Sequence, residues 1–101
     1  MQNRRKHIRV RIRAQVVCIV DSRTFRGVTF NLSQNGIQVE IPELKRNTNV
    51  QLAFRLPDSK VIIDALGVVV WCSARRHGIK FKNMGEQSHD SIRHFIERWS
   101  V

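Results

Sequence analysis

Acidic residues are scarce in this 101-residue chain: 8 Asp and Glu stand against 18 Lys and Arg, giving a formal net charge of +10 and a pI near 11.3. So lopsided a balance argues for anionic partners: nucleic acid, acidic lipid or a phosphate-rich small ligand. Long apolar runs are missing too. None approaches the ~18 residues that span a bilayer, and the charged start is not followed by a signal-peptide core, so the chain reads as cytoplasmic and without membrane insertion. Only two cysteines occur, Cys18 and Cys72. They lie far apart inside apolar strand-like runs, which favours buried reduced thiols over a disulfide framework, and neither is spaced to a second metal ligand.

Groupings that carry catalysis are equally lacking. His7, His77, His89 and His94 include no pair with convincing ligand spacing, and His89 and His94 are poorly aligned on one helical face. Asp21, Asp58 and Asp64 have no second carboxylate nearby in sequence. Ser33 is not set in the Gly-x-Ser-x-Gly elbow of an esterase nucleophile. The reading is a protein that is not an enzyme and holds no metal or cofactor.

What is present is globular: 42% hydrophobic and 26% charged residues, enough for a single domain over 1–101 that buries roughly 60–65% of its unfolded surface. Ile12, Ala14, Val16, Cys18 and Val20 alternate with Arg11, Arg13 and Gln15, the period of a strand with one buried face. Val17 and Ile19 break its polar side and predict cover on both faces of the second half. After a turn at Asp21-Ser22, Thr24 to Phe30 completes a hairpin. Ile37 to Ile41 alternates cleanly and stops at Pro42. Val50, Leu52, Phe54 and Leu56 mark a fourth strand closed by Pro57-Asp58-Ser59. Val61 to Trp71 is a fifth, in which Gly67 predicts a bend or bulge, and His77 to Phe81 is a sixth. Six short strands with no helix between them imply an antiparallel barrel or sandwich. The period then changes. Ile92, Phe95, Ile96 and Trp99 form a helical stripe, with Trp99 as core, Ser88 as its N-cap and Asp90 in the first turn.

Two polar stretches stand apart from this scaffold. One is the basic start, Arg4-Arg5-Lys6-His7-Ile8-Arg9, whose guanidinium groups suit phosphate or a guanine edge. The other is Asn31-Leu32-Ser33-Gln34-Asn35-Gly36, a turn in which Asn and Ser can bond a ligand or their own backbone and Gly36 can take positive φ. Together they point to an anionic ligand that bears guanine.

Arg5-x-x-x-Arg9 followed by Asn31-x-Ser33-x-x-Gly36 resembles the PilZ domain, the bacterial receptor module for cyclic di-GMP. Val68-Val69-Val70-Trp71, Gly78-Ile79-Lys80-Phe81 and the helix with Ile92, Phe95 and Ile96 extend the likeness over nearly the whole chain. The resemblance implies an all-β fold: a small six-stranded antiparallel barrel over 11–82, a flexible basic arm over 1–10 and one C-terminal helix over 87–100. It implies Arg5 and Arg9 as anchors, Asn31 and Ser33 as polar contacts, Gly36 as a backbone hinge and Gly78 as part of the site. Trp71 is left between two readings, core or a ring stacked on a base. Arg4 implies an intercalated ligand dimer, since a further guanidinium offsets the crowded phosphates of two stacked molecules. The expected function is a cyclic di-GMP receptor that changes conformation to regulate a protein partner or attached domain. The alternative is a small basic barrel binding single-stranded nucleic acid, with a scaffold that binds only protein as a third reading.

Overall fold

The computed structural model describes residues 8–42 and 44–99. Its elements run β1 Val10–Arg11, β2 Gln15–Val20, β3 Arg23–Leu32, β4 Gly36–Glu40, β5 Asn49–Arg55, β6 Ile62–Ser73, β7 Arg76–Met84 and α1 Glu86–Trp99. All strand pairs are antiparallel, in the order β3-β2-β5-β6-β7-β4, and β4 pairs back onto β3 to close a six-stranded barrel. Closure removes every free edge of the sheet but the short ones at its rim.

The added strand β1 pairs with the far end of β3, Val10 opposite Leu32 and Arg11 opposite Asn31. It lies on the same edge of β3 as β2, so the first sequence-predicted strand is one ribbon interrupted between Arg11 and Gln15. Thr29 bridges the interruption. Buried on β3, its hydroxyl accepts from Ala14 N–H at 2.9 Å and donates to the Ile12 carbonyl at 3.2 Å. Two backbone groups that the interruption would leave unpaired, one buried and one half-buried, are satisfied by one side chain. The basic segment expected to be an arm through residue 10 thus enters the sheet at Val10, while residues 1–7 lie outside those described.

The core follows the two-residue period. Val16 and Cys18, Ile37 and Val39, Val50, Leu52 and Phe54, Ile63 and Val69, and Ile79 point inward from successive strands. The helix closes one end with Ile92 and Ile96. It begins at Glu86, and the Gly85 carbonyl accepts the first helical bond from His89 N–H at 3.0 Å, so Ser88 is not the N-cap. Ser88 is buried and accepts Asp64 N–H at 3.3 Å, where β7 has ended and can no longer pair with β6. Trp99, expected in the core, is 55% exposed and leans on Phe95 with ring centroids 6.2 Å apart. Of the cysteines only Cys18 is buried, where loss of solvent pushes its thiol up to about 12; Cys72 is exposed. No helix among the described residues is long and apolar enough to cross a membrane.

Three bulges break the barrel's register. One sits at Gly67, where the sequence predicted a bend; there β7 inserts Lys82 between Phe81 and Asn83. The other two lie at Phe30 on β3 and at Val70 on β6.

Candidate functional site

The bulges at Phe30 and Val70 have parallel effects. In an unbroken strand Asn31 would share the inward face of Thr29, and Trp71 that of Val69. An inserted residue reverses the alternation, so Phe30 and Asn31 both face outward, as do Val70 and Trp71. Asn31 and Trp71 thereby reach the same outer face of the sheet. A row of cross-strand neighbours joins them: Asn31 opposite Gln38, Gln38 opposite Gly78, Gly78 opposite Trp71.

Over this row lies an open cavity of about 450 Å³ lined by Arg9, Ser33, Asn35, Gly36, Gln38, Val70, Trp71, Gly78 and Lys80, with the backbone of the Ile37 and Ile79 strands behind. Its lining carries two cations and no acid. Arg9 is steered by Asn31, whose Oδ1 accepts from Arg9 Nη1 at 3.1 Å. Among the described residues no other hydrogen bond engages the guanidinium, whose remaining N–H groups are donors only.

The Asn31 to Gly36 turn braces itself. Ser33 is buried, and its Oγ accepts from Gly36 N–H at 3.1 Å and Asn35 N–H at 3.3 Å, while Ser33 N–H donates to the Gly36 carbonyl at 2.9 Å. Ser33 therefore holds the turn's shape instead of offering its hydroxyl outward. Gly36 was expected to supply positive φ, but no glycine here has it. It is required by proximity instead: a Cβ at Gly36 would come within 2.5 Å of the Ile79 carbonyl oxygen on β7. Gly78 is constrained the same way from the other side, since a Cβ there would collide with the pyrrole edge of Trp71. The indole lies over the gap that glycine leaves, so Trp71 is a wall of the cavity and not a core residue.

The family model of the PilZ domain matches residues 3–98. The chain belongs to the PilZ domain family. Among solved structures, it resembles the inhibitor of motility MotI/DgrA of Bacillus subtilis, with TM-score 0.83 and 18% identity over 96% of this chain and 51% of that one. It also resembles YcgR of Escherichia coli in complex with c-di-GMP, with TM-score 0.81 and 16% identity over 96% of this chain and 46% of that one. The chain thus spans about half the length of each. Against the PilZ domain of YcgR with c-di-GMP alone, it covers 97% of itself and 92% of that chain at TM-score 0.75 and 14% identity. No curated protein matches it in sequence.

Of the residues singled out from the PilZ resemblance, Arg9, Ser33, Gly36, Trp71 and Gly78 line the cavity, and Asn31 orients Arg9 from its edge. Arg4 and Arg5 lie outside the described residues. Sequence reasoning missed Gln38 and Lys80. The available signal was parity: both are polar positions on the outward phase of the two strands next to the turn. Among the described residues no histidine lines the cavity. His77 is buried, accepting from Leu44 N–H at 3.0 Å on Nε2 and facing the Arg75 carbonyl at 2.9 Å with Nδ1, which ties the loop after β4 to the β6–β7 hairpin. Among the described residues no three His, Cys, Asp or Glu side chains converge on a possible metal site.

Proposed function

We propose that this domain is a cyclic di-GMP receptor whose output is regulation of a protein partner or attached domain. The observation that carries the reading is the convergence of Arg9, held by Asn31, with the exposed indole of Trp71 on one acid-free cavity. A cyclic dinucleotide offers what such a cavity takes: phosphates for a guanidinium, and flat bases for an aromatic face. Two solved structures of one relative, YcgR, contain c-di-GMP, which supports the assignment.

In this reading Arg5 and Arg9 neutralise the phosphates and grip a guanine edge, Asn31 steers Arg9, and Ser33 and Gly36 hold the turn close against β7. Gly78 sets the height of the Trp71 ring. Arg4 accompanies a second, intercalated ligand molecule. Recognition is the activity, with no catalytic step and no cofactor, and the cytoplasm is the compartment in which the domain would meet its ligand. Calorimetric titration with cyclic di-GMP beside GTP and a short oligonucleotide tests it. Cyclic di-GMP should bind far more tightly than either at physiological salt. Oligonucleotide binding that falls steeply with salt, without a cyclic di-GMP signal, would replace this reading by the basic-barrel alternative.

A further inference from the structure

The family motif accounts for one side of the cavity, the side of Arg9 and the turn. Beside it stand Gln38 on β4, opposite Asn31, and Lys80 on β7, opposite Gly36, neither of them among the residues that the resemblance assigns to the ligand. Gln38 occupies the middle of the row Asn31, Gln38, Gly78, Trp71. Neighbours across an antiparallel pair hold their Cβ atoms ~4.5–5.5 Å apart, so the Gln38 amide stands one strand from Asn31 and one strand from the glycine under the indole. The Asn31 carbonyl oxygen already accepts from Arg9. Among the described residues, nothing bonds the Gln38 amide or pairs with the Lys80 ammonium. Lys80 lies opposite Gly36, one pleat further along β7 from Gly78.

Resting on the receptor reading above, we infer that Gln38 reads the Watson–Crick edge of the base stacked on Trp71, beside the guanine edge gripped by Arg5 and Arg9, and that Lys80 is a further phosphate anchor. A base stacked on the outward face of Trp71 turns its edge towards β4, where Gln38 can accept from guanine N1–H through Oε1 and donate to guanine O6 through Nε2. Adenine presents an acceptor at N1 and a donor at the 6-position, so the arrangement that suits guanine opposes it unless the amide flips. The Lys80 charge acts on phosphate, which every cyclic dinucleotide carries, and so adds affinity without choosing a base.

The two roles separate in one experiment: calorimetry of wild type, Gln38→Leu and Lys80→Gln with cyclic di-GMP and with cyclic di-AMP. Gln38→Leu should weaken cyclic di-GMP about tenfold, the loss of one well-made polar contact, while cyclic di-AMP changes little, so selectivity narrows. Lys80→Gln should weaken both ligands by a similar factor and flatten the salt dependence of binding. If Gln38→Leu lowers the ligand-free melting temperature, Gln38→Ser removes the amide's reach while keeping a polar surface, and the same narrowing is expected of it. A wild type that binds no cyclic dinucleotide would end the receptor reading itself. A wild type that binds cyclic di-GMP while the Gln38 variants keep its affinity and selectivity overturns this inference alone.

Discussion

At the scale of single residues, the site separates from the core. Arg9→Ala should remove a charge-assisted contact of roughly 1.5–3 kcal/mol from binding and leave the unliganded melting temperature nearly unchanged, because Arg9 is exposed and outside the packed interior. Thermal unfolding beside calorimetry checks both halves. Thr29→Val should do the reverse. It keeps the shape but leaves Ala14 N–H and the Ile12 carbonyl without their partner, at about 1–3 kcal/mol of stability. Gly78→Ala is subtler, since the added methyl displaces the Trp71 indole while the β7 strand remains compatible with alanine. Intrinsic tryptophan fluorescence should shift and ligand affinity should fall, with little change in melting temperature; an unmoved spectrum would contradict the placement of the ring. The cysteines give a chemical check: Cys18, raised to about 12 by burial, should resist alkylation near neutral pH, while exposed Cys72 reacts.

At the scale of elements, what the sequence made legible was periodicity, and what it hid was where periodicity slips. The strands at Ile37–Ile41 and Val50–Leu56 alternate without a break, and the observed β4 and β5 fall on them. Val70 and Phe30 are apolar and unremarkable, so nothing in the chain announced that each adds a bulge; only the closed barrel decides which residue is left unpaired. That is why Trp71 could be read as core or as ligand wall. Gly67 could be foreseen because a glycine inside an apolar strand weakens it and so commonly marks a bulge or a close approach of backbone. The motif residues were legible as a group, but the reason for Gly36 was not: the approach of β7 is a tertiary fact that local turn chemistry does not contain. Ser88 misled for a similar reason, as its partner Asp64 lies on a distant strand. The helix itself packs through Ile92 and Ile96, so Ile92→Ala should cost about 2–5 kcal/mol by equilibrium unfolding.

At the scale of the whole molecule, the barrel carries a preformed cavity on its outer face, and Arg9 lies at its edge. Arg9 and β1 anchor the C-terminal end of the basic segment against β3. When ligand binds, hydrogen exchange of residues 4–9 should slow, and equal protection in both states would remove the segment as the switch. The proposed role of Arg4 beside a second ligand molecule carries a prediction of stoichiometry. Two stacked ligands bring four phosphate charges together, and Arg4→Leu should lower the count towards one without loss of fold. The most direct measurement of the central claim is the calorimetric titration of wild type with cyclic di-GMP. The account predicts tight binding with two ligands per chain, far above the affinity for GTP. No binding to cyclic di-GMP, by a protein that melts cooperatively, would contradict it.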